Sequence, residues 1–267
     1  MEAVALQDNV WWGDFRIGIG ESLLWELGAV RFAVQRQELE WRIACTKRPE
    51  EEQDEWQITR PEEISPDIND AWERYVCAHN DKPLHIMPVL ADRSVVSRPS
   101  SPFTLLPGEA VQIYVSTPLW VKIMMADKEI VLKEFSLLPL SDTWFGSSTR
   151  EGELCYAART YARLVLDAMP HHAHRATTVL ILQNRAESVL VLERLNLPVT
   201  YLGLYHNGAG ELWTEAIELI RGEDSDTAEL KIKPGPPIGV KGAERIAEPR
   251  KRAQDGLLVR TLGSLFG

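Results

Sequence analysis

Residues 30–45 read Val-Arg-Phe-Ala-Val-Gln-Arg-Gln-Glu-Leu-Glu-Trp-Arg-Ile-Ala-Cys, and their hydrophobic period is two. Val30, Phe32 and Val34 alternate with Arg31, Ala33 and Gln35. After a turn near residues 35–38, Leu39, Trp41, Ile43 and Cys45 alternate with Glu40, Arg42, Ala44 and Thr46. A helix would space its apolar residues three and four apart, whereas a strand sends alternate side chains to opposite faces. The stretch therefore predicts an antiparallel hairpin with one apolar face.

The same period extends outward. Residues 15–19 and 23–27 are short strands punctuated by Gly18, Gly20 and Gly28, and Val111, Ile113 and Val115 alternate with Gln112, Tyr114 and Ser116. Residues 120–125 and 130–137 predict a second hairpin, and residues 179–182 and 189–197 flank a turn. Residues 201–205 run into Asn207-Gly208, two residues that tolerate positive φ, and residues 212–221 and 228–233 form a further hairpin. Only residues 66–80 change period: Asp67 or Asn69 caps a helix in which Trp72, Tyr75, Val76 and His79 share a face. Residues 152–169 fit either period, and the surrounding strands favour a strand there. The fold class is all-β, mainly antiparallel and sandwich-like, with one short helix near residues 67–79. The organisation expected is an N-terminal region over 1–80, a β-sandwich-like region over 81–238 and a polar tail with an apolar end over 239–267, all of which a single domain could also contain.

The 267 residues carry a formal charge of −10, with 45% hydrophobic and 25% charged residues, a globular composition. Residues 1–75 hold 17 acids against 8 bases, and residues 76–267 hold 22 against 21, so the acidity is local. Between residues 50 and 73 ten acids face only Arg60. A solvated connecting loop is the plain reading of that segment, and an acidic face for a basic partner the sharper one. Nucleic-acid binding is not expected, because it needs clustered Lys and Arg. No apolar run reaches the roughly 20 residues that cross a bilayer, and the opening Met-Glu-Ala-Val-Ala-Leu-Gln-Asp lacks the basic and apolar regions of an export signal. The expectation is a cytoplasmic protein that is not integral to a membrane. Cys45, Cys77 and Cys155 are odd in number and far apart, which fits reduced, buried residues better than a disulfide framework.

Chemistry-bearing groups are few. Gly18 and Gly20 lack the third glycine and the helix of a dinucleotide fingerprint, and no Walker lysine, GxSxG or HExxH occurs. His172 and His174 would share a face of an extended segment, with His206 as a third metal ligand, but loop histidines in solvent explain them more simply. Asp142, Trp144 and Phe145 form the most distinctive loop-like segment and could line a pocket or plug the end of a sandwich. Of nine tryptophans, Trp25, Trp41, Trp120 and Trp213 fall in apolar strand patterns and belong to the core, whereas Trp11, Trp12, Trp56 and Trp144 suit a recognition surface. Nothing calls for a cofactor.

Leu-Ser-Asp-Thr-Trp-Phe-Gly at residues 140–146, Gly-Glu-Leu-Cys-Tyr-Ala at 152–157, Leu-Glu-Arg-Leu-Asn-Leu-Pro-Val-Thr-Tyr-Leu-Gly-Leu-Tyr at 192–205 and Leu-Trp-Thr-Glu-Ala at 212–216 together resemble DUF432, an uncharacterised prokaryotic family. The resemblance covers most of the chain, supports a β-rich fold and implies no catalytic residue. The reading of function is a non-catalytic binding or scaffolding protein with a protein partner, acting through Asp142, Trp144, Phe145, Trp11 and Trp12. One alternative is an enzyme with a carboxylate and histidine site at Asp142, Glu153 and His171 to His174. The other, which the resemblance suggests through neighbouring channel genes, is a cytoplasmic accessory protein of a membrane channel.

Overall fold

The computed structural model describes residues 2–3, 10–48, 53–99, 101–125, 130–146, 150, 152–159, 162–223, 227–252 and 257–261. It is an all-β protein whose sheets are mainly antiparallel. The chain divides into two compact units. One comprises residues 1–89, 119–139 and 172–174, and the other residues 90–118, 140–171 and 175–267.

In the first unit the hairpin of residues 30–45 forms as the alternation requires. Val30–Arg36 pairs with Glu40–Lys47, with Phe32 opposite Cys45 and Val34 opposite Ile43. These strands lie in a six-stranded sheet with Glu2–Ala3, Gln53–Arg60, Ser22–Gly28 and Glu73–Val76. A four-stranded sheet of Ile130–Ser136, Trp120–Met125, Leu84–Val89 and Gly13–Phe15 faces it. Rings from both sheets build the layer between them: Trp25 stacks on Phe32 at 4.9 Å, Phe15 meets Trp25 edge-on at 5.0 Å, and Phe32 meets Phe135 at 5.3 Å. Such aromatic pairs add about 1 kcal/mol each beyond their buried area. Trp25, Trp41, Trp120 and Trp213 are all buried, as their strand patterns predict. All three cysteines are free, but only Cys155 is buried; Cys45 and Cys77 are partly exposed. Burial still pushes the Cys45 thiol up to about 11, which keeps it protonated near neutrality.

Two local expectations change. Where it is described, the acidic segment is a loop leading into the helix only over residues 61–65; Gln53–Arg60 is a strand on Ser22–Gly28, with Ile58 opposite Trp25. The alternation Trp56-Gln57-Ile58-Thr59 gives it an apolar face despite the neighbouring charge. The helix is a single turn, Pro66–Asn69, whose Ile68 packs on Ala33 and Ala44 on the outer side of the six-stranded sheet. Beyond it, Glu73–Val76 is an edge strand on Glu40–Lys47, tied by the Arg74–Glu40 ion pair at 2.6 Å. Tyr75 and Val76 suit a strand, and the open edge overrides a weak helical period.

The second unit centres on Arg175–Asn184, where Val179, Leu180 and Leu182 are fully buried. Around it runs a nine-stranded sheet. Ala110–Pro118 is antiparallel to Arg175–Asn184, Ala216–Arg221 is parallel to it, and Leu204–His206 and Leu212–Thr214 close a hairpin about Asn207-Gly208. Residues 190–197 turn away from the central strand. Leu190–Leu192 pairs with Phe103–Leu105, and Leu195–Leu197 joins a separate four-stranded sheet, in the order Ser141–Phe145, Glu153–Arg159, Val95–Arg98, Leu195–Leu197. Buried Asn184 holds this corner, its Nδ2 lying 2.9 Å from the Ser188 carbonyl and 3.1 Å from that of Leu105. Residues 153–159 are strand, and Leu166–Ala168 is a 3₁₀ turn. Among the described residues no helix is long and apolar enough to cross a membrane.

Candidate functional site

The strand Ser141–Phe145 pairs antiparallel with Glu153–Arg159, setting Asp142 opposite Tyr156 and Trp144 opposite Leu154. Because side chains alternate, these four residues share one face, while Thr143, Phe145, Glu153 and Cys155 share the other. On the outer face Trp144 is 47% exposed and Leu154 46%. The indole packs against Gly152, where a Cβ would come within 2.7 Å of Nε1, so the glycine leaves room for the ring. Tyr156 donates its hydroxyl hydrogen to Asp92 at 3.0 Å, and the Arg93 guanidinium lies 5.0 Å from its ring. Arg93 also pairs with Asp142 at 3.2 Å. Burial, and then the bond to Asp92, pushes the Tyr156 phenol above its ordinary range. The result is an aromatic and aliphatic surface whose rings are held by polar neighbours.

The inner face is built for cohesion. Phe145 is 3% exposed and packs with Val96 and Cys155, with the Arg194 guanidinium 5.6 Å from its ring. The Glu153 carboxylate accepts hydrogen bonds from Asn196 Nδ2 at 2.7 Å and Ser94 Oγ at 3.2 Å, both donors belonging to buried residues. The carboxylate thus ties its strand to Leu195–Leu197 and to the residue that precedes Val95–Arg98.

The other residues singled out by sequence go to separate places. Trp11 is wholly buried, its Nε1 donating to the Ala173 carbonyl at 2.9 Å while its own carbonyl accepts from Trp25, so it presents nothing to solvent. Partly exposed Trp12 meets Trp11 edge-on at 5.4 Å. Trp56 is half-buried on its strand. Phe145 faces the core. His174 is fully buried against Gly28, whose lack of a Cβ leaves room for the imidazole; a Cβ there would come 2.9 Å from the ring. His172 lies 5.4 Å from His174, ring to ring, in the first unit. His206 belongs to the second unit, where its Nε2 accepts the Gly210 N–H at 3.1 Å. Among the described residues no group of three or more His, Cys, Asp or Glu side chains is placed to hold a metal.

Two residues of the enzymatic alternative are held apart. Asp142 and Glu153 lie on opposite faces of the hairpin, and His171 pairs with Glu211 at 3.4 Å. In the first unit a polar groove of about 540 Å³ is lined by Glu21, Ser22, Gln35, Arg60, Glu62 and Asn69, and Arg60 and Glu21 form an ion pair across it.

Leu154, Tyr156, Asp92 and Arg93 escape a reading of sequence alone. The first two need only the register opposite residues 142–144, which an alternating stretch at 153–159 could have suggested. Asp92 and Arg93 arrive from a distant loop with no local signal.

Compared with known proteins, the chain is matched over residues 11–266 by the model of a family described as "Protein of unknown function (DUF432)". The chain belongs to that family. The DUF432 match takes in both hairpin strands and every residue of their outer face. No curated protein and no solved structure matches the chain. The DUF432 description names no activity.

Proposed function

We propose that the protein is a non-catalytic binding or scaffolding module that holds a protein partner on the outer face of the hairpin Ser141–Phe145 and Glu153–Arg159. The observation that carries the reading is the cross-strand pair Trp144 and Leu154, each close to half exposed, beside Tyr156 and Arg93. Tryptophan, tyrosine and arginine dominate the energetic centres of protein interfaces, because they bury much surface for little lost side-chain freedom. The enzymatic alternative is less well supported, since Asp142 and Glu153 face opposite ways and each is already engaged.

The test is affinity purification of the tagged chain at native level, run beside the double variant Trp144→Ala, Leu154→Ser. The unaltered chain recovers a protein partner, and the variant, equally folded by circular dichroism, loses at least nine-tenths of it. Identical recovery by both chains would overturn the reading.

A further inference from the structure

Two strands on one side of the nine-stranded sheet are covered by residues close together in sequence. Ala110–Pro118 runs along one side of Arg175–Asn184; beyond the other side, Glu244–Ala247 pairs with Leu204–His206 and Leu257–Thr261 pairs with Thr227–Lys233. After Thr227–Lys233 the chain therefore runs along that side to Leu204–His206, adds one short strand and returns to pair with Thr227–Lys233. Open edges template strand pairing, so the excursion covers what would otherwise be a pairing surface.

The short strand is held by polar links more than by burial. Of residues 234–252 only Pro237 and Ala247 are buried, and the pairing with Leu204–His206 is irregular between Leu204 and Tyr205. Arg245 is the principal anchor. Its Nη2 donates to the Tyr205 hydroxyl at 2.7 Å and to Glu215 Oε1 at 3.1 Å, and Nη1 donates to Glu248 at 3.1 Å. Glu215 is buried, and its Oε2 accepts the Gly203 N–H at 2.9 Å. Further along, the Lys251 N–H donates to the Thr200 carbonyl at 2.8 Å, and Arg250 Nη2 to that of Leu90 at 2.7 Å. Val240 and Ala243 pack, partly buried, against the cluster of Val179, Tyr205, Trp213 and Ala216, but the other anchors are polar, and a segment so held opens at lower free energy than the core. One guanidinium here sets that free energy, because its departure leaves Glu215 buried without a cation. Some 36% of the Arg245 side chain faces solvent, within reach of salt and anions.

We propose that residues 234–252 form a releasable strap: when Arg245 withdraws, Glu244–Ala247 leaves the edge of Leu204–His206, and the same strand of a second copy takes its place. The freed edge is complementary to that strand, which every copy carries, and exchange of identical elements is a low-cost route to a dimer. Residues 234–243, extended, span roughly 33 Å, enough to reach a neighbouring molecule.

Hydrogen exchange read by mass spectrometry on the full chain, on Arg245→Ala and on Arg245→Lys tests the strap. In the unaltered chain, amides of Glu244–Ala247 and Leu204–His206 exchange together, at least tenfold faster than those of Val179, Leu180 and Leu182. Arg245→Ala speeds both strands a further tenfold and leaves the central strand unchanged. Arg245→Lys, which keeps the charge but not the planar fork, falls between. Mixed light- and heavy-isotope Arg245→Ala chains yield a dimer of intermediate mass in native mass spectrometry. Should that variant fail to fold, the unaltered chain in about 1 M salt, where exposed ion pairs are screened, gives the same two readings. Edge strands as protected as the central one, or opening without a mixed dimer, would overturn the proposal.

Discussion

Phe145 and Trp144 are neighbours in sequence and aromatic alike, yet one is 3% exposed and the other 47%. The two faces of their hairpin differ throughout. Inside, Phe145, Cys155 and the Glu153–Asn196 tether lock strands together; outside, Trp144, Leu154, Tyr156 and Arg93 make a surface that no described part of the chain fully covers. Composition cannot tell these aromatics apart, but the parity of their positions can. The contrast teaches that one strand pair supports cohesion with its odd positions and leaves even positions available for contact.

The contrast breaks most readily from inside. Phe145→Ala removes a buried ring and costs about 4 kcal/mol of stability, read as a lower midpoint in urea. Asn196→Ala deprives the Glu153 carboxylate of a buried donor and costs about 2 kcal/mol in the same measurement. Trp144→Ala changes stability by only about 0.5 kcal/mol, yet weakens the partner complex by about 2 kcal/mol, roughly 30-fold in Kd by titration calorimetry. An equal loss of stability for Trp144→Ala and Phe145→Ala would erase the distinction between the faces.

Tyr156→Phe gives the smallest effect and sharpens the outer face. At neutral pH it costs a few tenths of a kcal/mol, since an exposed hydrogen bond to Asp92 is lost. The folded phenol titrates above its ordinary range, so the unfolded chain gives up its proton first. The stability due to this group is therefore intact below about pH 10 and lost as pH rises through the folded value. Unfolding midpoints fall less steeply with alkaline pH in Tyr156→Phe than in the unaltered chain.

Strand alternation made most of the fold legible. Val30 to Cys45, the 120–137 hairpin and the Asn207-Gly208 turn all follow from period two and turn chemistry. What escaped has a physical reason in each case. The acidic residues around Trp56 and Ile58 mask a strand, because only those two apolar positions mark its alternation. Tyr75 and Val76 fitted a helical face, but the edge beside Glu40–Lys47 captured them, a tertiary effect that no window of sequence contains. At the site, Asp142 and Trp144 were legible as distinctive residues, whereas Phe145 and Trp11 turned inward. Arg93 and Asp92 reach the hairpin from about 50 residues away, and only the fold brings them there.

The division of the chain also bears on synthesis. The polypeptide passes from one unit to the other after residues 89, 118, 139, 171 and 174. The first unit stays incomplete until residues 172–174, with the Ala173 carbonyl that Trp11 needs, have left the ribosome, and by then much of the second has already emerged. Neither unit can finish as an early, independent module. A nascent chain halted before residue 173 lacks the carbonyl that Trp11 needs, and no single proteolytic cut separates the units.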